Sequence, residues 1–321
     1  MKSNIKASLT MFILATVIMA TSVQSCAAKT LQEFDPEEIM RDDPETVTRN
    51  FNYTDFHGIS ASGIVTVQLV KSNSYKVEIT LPEKLDKYLE VTVSKGILKI
   101  GWKDNLPSKL LSNLSSKQVK AEIAMPMLQS LEMSGLTSFY CTDEFNLGHK
   151  EFDIHIAGSS KIGDLNVKAE KLEAKISGGS KISLSGSFDE ADIQLSGSSK
   201  ADFMFDAEEL EIDAAGASNA NCSGKFRKAE IDAAGAASLK LKGTVNSLVV
   251  ESSGACRVDA MDMEADNAAI FASGSSNVRA NATKSLVMEA TGASTVKYKA
   301  SHNANVVLRE VTRSSSVSRV N

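Results

Sequence analysis

One short motif returns eight times between Phe152 and Tyr298, and its near-constant interval leaves few folds open to the chain. It reads IAGSSKI from Ile156, ISGGSKI from Ile176, LSGSSKA from Leu195, AAGASNA from Ala214, AAGAASL from Ala233, SSGACRV from Ser252, ASGSSNV from Ala272 and ATGASTV from Ala290. The central residues are Gly158, Gly178, Gly197, Gly216, Gly235, Gly254, Gly274 and Gly292, separated by 20, 19, 19, 19, 19, 20 and 18 residues. A period near twenty around a fixed glycine marks a solenoid whose units stack to share one core.

The columns of the repeat describe one coil. Six residues before each glycine stand Phe152, Leu172, Ala191, Leu210, Ala229, Leu248, Ala268 and Leu286. Four before stand Ile154, Ala174, Ile193, Ile212, Ile231, Val250, Ile270 and Met288, with charged or amide residues between the two columns. That alternation has the period of a half-buried strand, and it resumes four residues past the glycine at Ile162, Ile182, Ala201, Ala220, Leu239, Val258, Val278 and Val296. A coil of about 19 residues holds two or three short strands and tight corners, so the fold class is an all-β parallel β-helix. The glycine suits a corner that needs a positive φ, and the small residues beside it suit corners stacked about 4.8 Å apart. Gly186, Gly224 and Gly243, each eight past its coil's main glycine, indicate a second corner. Valine at Gly216 is expected to cost more than a substitution at Ser218.

Residues 1–26 read as a targeting segment, with Lys2 and Lys6 ahead of an apolar run from Leu9 to Val23 too short and interrupted for a settled membrane span. Val23-Gln24-Ser25-Cys26 resembles a bacterial lipobox, which would make Cys26 the lipidated first residue of the mature protein and its membrane attachment. The alternative is ordinary secretory cleavage after Ala28, with Cys26 discarded. Residues 27–45 are polar and acidic and read as a tether. Residues 46–133 are strand-rich without the 19-residue step, with Lys95-Gly96 a hairpin turn and Leu81 to Leu85 a turn or short helical stretch. This region is expected to cap the first coil, whose open edge would otherwise invite aggregation. Residues 134–321 form the regular array, with Gly135 an early corner 23 residues before Gly158.

Several segments carry a family resemblance: Phe56-His57-Gly58-Ile59-Ser60-Ala61-Ser62-Gly63-Ile64-Val65-Thr66-Val67, then Leu98-Lys99-Ile100, then Ala124-Met125-Pro126-Met127-Leu128-Gln129-Ser130-Leu131, then the Ser-Gly-Ser-Ser repeats. From about Asn50 to its end the chain resembles the bacterial secreted proteins known as putative auto-transporter adhesin head domains, or GIN domains, common in Bacteroidetes. The resemblance implies a right-handed β-helix and a role in adhesion. Arg309 to Val317 departs from the pattern, with Ser and Arg where a corner glycine is expected, so an irregular closing coil is expected there.

The chemistry on offer is limited. At 23% charged and 6% aromatic residues with a formal charge of -5, no basic stripe interleaved with aromatics addresses nucleic acid. Glu211, Glu230, Asp213, Asp232 and Glu251 should stack as two outward acidic columns, which is either a solvated face or a strip for Ca²⁺ or a cationic partner. The calcium-binding nonapeptide repeat does not occur, and no cofactor is expected. Lys161, Lys181 and Lys200 form a short basic column that could meet acidic glycans or simply aid solubility. Cys222 and Cys256 lie about 10 Å apart along the stack, too far for a disulfide, and are expected to be free, with Cys222 in a buried column and Cys256 in place of a corner serine. Cys141, His149 and His155 match no known zinc spacing.

Many polysaccharide-active enzymes are parallel β-helices, but they need a cleft built by long loops with converging carboxylates and aromatics. Here the steps vary by only two residues, and Trp102, the single tryptophan, falls in the capping region. The chain is therefore read as a non-enzymatic envelope protein that binds glycan or protein. The alternative is a structural or assembly component at the periplasmic or surface face, self-associating through its small-residue faces.

Overall fold

The computed structural model describes residues 45–111 and 118–320. The targeting segment with Cys26, and all of the tether but Glu45, lie outside the described residues.

The N-terminal part holds β1 (Thr46–Asn50), β2 (Gly58–Gly63), β3 (Thr66–Lys71), β4 (Lys76–Pro82), the helical turn α1 (Glu83–Asp86), β5 (Leu89–Ser94), β6 (Ile97–Trp102), the helical turn α2 (Ser108–Leu111) and β7 (Lys120–Met125). There follow β8 (Ser130–Gly135), β9 (Ser138–Tyr140), β10 (Glu144–Asn146) and β11 (Glu151–Ile156). The array proper is built from seven long strands: β12 (Lys161–Ile176), β13 (Lys181–Leu195), β14 (Lys200–Ala214), β15 (Asn219–Ala233), β16 (Ser238–Ser252), β17 (Arg257–Ala272) and β18 (Asn277–Ala290). The chain closes with β19 (Thr295–Ala300), β20 (Asn305–Val311) and β21 (Ser316–Arg319).

From β12 to β18 each strand pairs in parallel with the next, one coil on, so Ile193 faces Ile212 and Ile212 faces Ile231. The apolar columns six, four and two before the glycine point inward; Leu172, Ala174, Ile212, Ile231, Val250 and Leu286 are fully buried, in one core that runs from Phe56 to Val296. The stacked parallel β-solenoid of about 19 residues per coil is the architecture the repeat implied.

The corner glycines from Gly135 to Gly292 all adopt φ between 69° and 83°. They sit directly on one another. A Cβ on Gly216 would lie 2.8 Å from the carbonyl oxygen of Gly197. The N–H of Ala217 donates to that same oxygen at 2.8 Å, and Ser198, Ala236 and Ala255 repeat the bond to the glycine one coil earlier. The two 20-residue steps are absorbed as bulges, between Ile162 and Leu165 in β12 and between Asp259 and Asp262 in β17, where the partner strand has one residue fewer. At the second corner the strand bends without breaking. Gly186 and Gly243 take φ of 146° and 112°, and a Cβ on Gly224 would lie 1.8 Å from the oxygen of Phe205. Phe205, in register with Gly186, turns its ring inward to pack edge-on with Phe188, Phe203 and Phe226.

The order of coils at the N-terminal end departs from the order of the sequence. β2 pairs in parallel with β6 on one side and β8 on the other, and β3 does the same with β7 and β9. The chain thus lays down the coil β2–β3, builds β4 to β7 beyond it, then returns at β8 to continue the stack on the opposite side. β5 on β6, β4 on β7 and β1 on β4 are antiparallel, and they cover the edge of the parallel stack. The turn at Lys95-Gly96 has φ of 53° and 74°, as a tight two-residue hairpin requires. Gly63 is the first member of the glycine column, since Leu136 N–H donates to its carbonyl at 2.7 Å. The sequence pattern placed the start of the column at Gly135, because the excursion from β4 to β7 separates it from Gly63 by 72 residues and hides the period.

In the last coil the corner at Thr312 to Ser315 has no glycine. Ser315 Oγ donates to the carbonyls of Thr312 (2.8 Å) and Ala290 (2.7 Å), closing the turn through a side chain instead. A register shift between Met288 and Glu289 precedes it, and Leu308 and Val311 are exposed.

Candidate functional site

The strand that enters each glycine corner directs the residues three and five before the glycine outward. The register assembles Asp153, Glu173, Asp192, Glu211 and Glu230 into one unbroken column, five coils long. Beside it runs Asp213, Asp232 and Glu251. Sequence reasoning found Glu211, Asp213, Glu230, Asp232 and Glu251 but missed Asp153, Glu173 and Asp192, although all three stand five residues before their own glycines.

Lysines answer part of this charge. Lys175 pairs with Glu173, Lys171 with Asp192 at 3.0 Å, and Lys228 with Glu230 at 3.0 Å. No cation of the described residues pairs with Glu211, Asp213, Asp232 or Glu251. Partial burial, reinforced by Asp192, Asp213, Glu230 and Asp232, holds the Glu211 carboxyl above its ordinary range. Asp232 is raised in the same way, by burial first and then by Glu251, Asp213 and Glu230. Asp153 is raised by burial, with Glu173 and Glu151 adding to it and His155 and Lys175 opposing. Negative charge therefore accumulates over a few coils faster than the protein neutralises it.

A shallow groove of about 520 Å³ runs along this flank, with Asp213, Asp232, Glu251, Phe271 and Glu289 on its walls and alanines and serines on its floor. The carboxylates follow one another along the solenoid instead of converging on a point, and no group of three or more His, Cys, Asp or Glu among the described residues is placed to hold a metal ion. Such an arrangement can hold an extended cationic partner through repeated contacts, each weak.

Across the glycine corner, Lys161, Lys181 and Lys200 stack in register three residues past their glycines. No carboxylate of the described residues forms an ion pair with them. The two columns of opposite sign are thus kept apart by the corner itself. The thiols offer little chemistry: Cys141, Cys222 and Cys256 are free and buried, and burial pushes the Cys222 thiol up to about 12. His155 is exposed, and His149 Nδ1 lies 3.4 Å from Glu170 at the surface. No helix among the described residues is long and apolar enough to cross a membrane.

The family model described as "putative auto-transporter adhesin, head GIN domain" matches residues 55–222 and 202–301. No curated protein matches the chain. Among solved structures, a putative adhesin from Parabacteroides distasonis is 16% identical and aligns over 87% of this chain and 98% of its own, with a TM-score of 0.49. A putative adhesin from Parabacteroides merdae gives 16% identity, the same coverage and a TM-score of 0.48. A putative lipid binding protein from Parabacteroides distasonis gives 19% identity over 87% of this chain and 98% of its own, with a TM-score of 0.42.

Proposed function

Because this chain belongs to the family of the putative auto-transporter adhesin head GIN domain, we propose that it works at the cell envelope by contact and without turnover, anchored through a lipidated Cys26. The observation that carries this reading is the register-locked acidic flank. Glu211, Asp213, Asp232 and Glu251 present unpaired charge in lines along a stiff rod, and a line of like charges suits an extended cationic segment of a protein or matrix better than a small substrate. Repetition supplies avidity from contacts that are individually weak.

The test compares adhesion of cells carrying the wild-type protein, none, or an Asp213→Asn/Asp232→Asn/Glu251→Gln variant. Adhesion should fall in the second and third strains and weaken with added salt; equal adhesion in all three ends the proposal. Cys26→Ala should release the protein from the membrane fraction, and protease treatment of intact cells should remove the wild-type protein if it stands on the outer surface.

A further inference from the structure

A second groove, of about 380 Å³, lies across the glycine corner from the acidic flank and has a different character. Tyr140, an aromatic ring left 43% exposed, is part of its lining. The ring lies close to Gly163: a Cβ there would stand 3.3 Å from Cδ1 and 3.5 Å from Cε1, tight enough that the ring would have to shift by a few tenths of an ångström. In the next coils the matching outward position holds Ser183, Asp202 and Asn221. Gly163 also opens the bulge of β12, whose extra residue turns Asp164 out beside the ring.

The polar groups around the ring are held in place. Ser183 Oγ donates to Asp164 Oδ1 at 2.9 Å, and Asn221 Nδ2 donates to Asp202 Oδ1 at 2.7 Å. Each carboxylate keeps its second oxygen for another donor. Lys161 and Lys181 line the same groove as unpaired cations. A flat aromatic surface, fixed acceptors for hydroxyl groups and two free ammonium groups are together the complement of an acidic pyranose, whose apolar face covers the ring and whose carboxylate meets the lysines. A neutral sugar leaves both cations unmatched.

We propose that the groove at Tyr140 is a binding site for uronic acid-containing glycans, with Tyr140 as the stacking platform, Asp164 and Asp202 as hydroxyl acceptors, and Lys161 and Lys181 as carboxylate partners. It uses none of the acidic-flank residues and stands or falls separately from that proposal.

Calorimetric titration of the purified protein with trisaccharides of galacturonate, glucuronate and mannuronate, each beside its methyl ester, is the test. At least one acid form should bind, about fivefold or more tighter than its ester, whose ring is the same but whose charge is gone. Tyr140→Ala should lose about tenfold in affinity while Tyr140→Phe stays close to wild type. Lys161→Gln/Lys181→Gln should erase the preference for acid over ester without shifting the thermal midpoint. The Asp213→Asn/Asp232→Asn/Glu251→Gln variant should bind as wild type. No binding of any acid form at millimolar concentration, equal binding of acid and ester, or unchanged affinity in Tyr140→Ala would overturn the proposal.

Discussion

The indole of Trp102 lies against Gly63: a Cβ on that glycine would stand 2.5 Å from both Cδ1 and Nε1 of the ring. Continuing the register of Ala61 against Ile100 by two residues puts Trp102 opposite Gly63, one coil below the first corner glycine. From Gly135 to Gly292 every level of the column is occupied by another glycine, whereas the level below Gly63 is closed by the chain's single tryptophan.

Trp102 is partly buried, and its indole N–H has no partner. Removing it in Trp102→Ala uncovers the column and should cost about 2 kcal/mol, whereas Trp102→Phe keeps a ring, drops the unsatisfied donor and should cost less than half as much. Gly63→Ala should displace the indole, so tryptophan emission should shift to the red as the thermal midpoint drops. Unchanged emission in that variant would show that the ring does not sit there.

Two glycines separate backbone strain from stacking. Gly148 has φ of 61° with nothing within 4 Å of an added Cβ, while Gly216 has φ of 71° with the Gly197 oxygen 2.8 Å away. Gly148→Ala should therefore cost about 1 kcal/mol for its conformation alone, and Gly216→Ala about 2 kcal/mol or more. Denaturant midpoints of the two variants measure the difference; equal values would mean that the stack yields freely.

The residue two past each corner glycine from Gly135 to Gly292 is buried, and where it is a serine its value varies with its partner. Ser160 Oγ donates to the Ala157 carbonyl at 2.9 Å and accepts from Thr137, but Ser218 Oγ is buried without a partner, as is Ser252 Oγ two residues before Gly254. Ala237 already fills the same position as Ser218 one coil on. Ser218→Ala and Ser252→Ala should leave stability unchanged or raise it by up to about 1 kcal/mol, while Ser160→Ala should lower it by about 1 kcal/mol. Thermal melts of the three variants decide it.

The acidic flank gives stability a pH signature. Folding raises the carboxyls of Glu211 and Asp232, so the folded state binds protons more readily there than the unfolded chain. These two groups therefore oppose folding at neutral pH, and the opposition fades as pH falls through their raised range towards ordinary carboxylate values. The salt-bridged Asp86 and Glu122, whose carboxyls are lowered by Arg49 and by Lys120 and Lys76, act in the opposite sense and lose their contribution on acidification. The comparison must then be between proteins: Glu211→Gln/Asp232→Asn should be slightly more stable than wild type at pH 7, by about 0.5 kcal/mol or less after solvent screening, and the gap should close near pH 4. A gap that widens on acidification would contradict the assignment.

The repeat was legible because a solenoid writes its geometry into the sequence. Each coil meets only its neighbours, so the same position faces the same environment every 19 residues, and Ile193, Ile212 and Ile231 announce the core together. The corner glycines, the buried Cys222 and the hairpin at Lys95-Gly96 were readable for the same local reason. The acidic column was only partly seen, as the outward position two residues beyond Asp153, Glu173 and Asp192 holds His155, Lys175 and Gln194, so these coils lack the paired carboxylates that mark Glu211-Asp213 and Glu230-Asp232.

Local chain geometry alone thus determined that this protein would be a rod of parallel coils turned on glycine, since a period, an alternation and a positive φ are properties of neighbouring residues. Pairings across long separations were left to the tertiary structure. Only there does Gly63 join a column 72 residues away, does Trp102 close that column, and does Tyr140 come to lie close to Gly163 beside Asp164. The physical reason is that each of these depends on which strand edge the returning chain meets, and an edge offers its hydrogen bonds to any segment that fits, without marking its choice in the residues on either side.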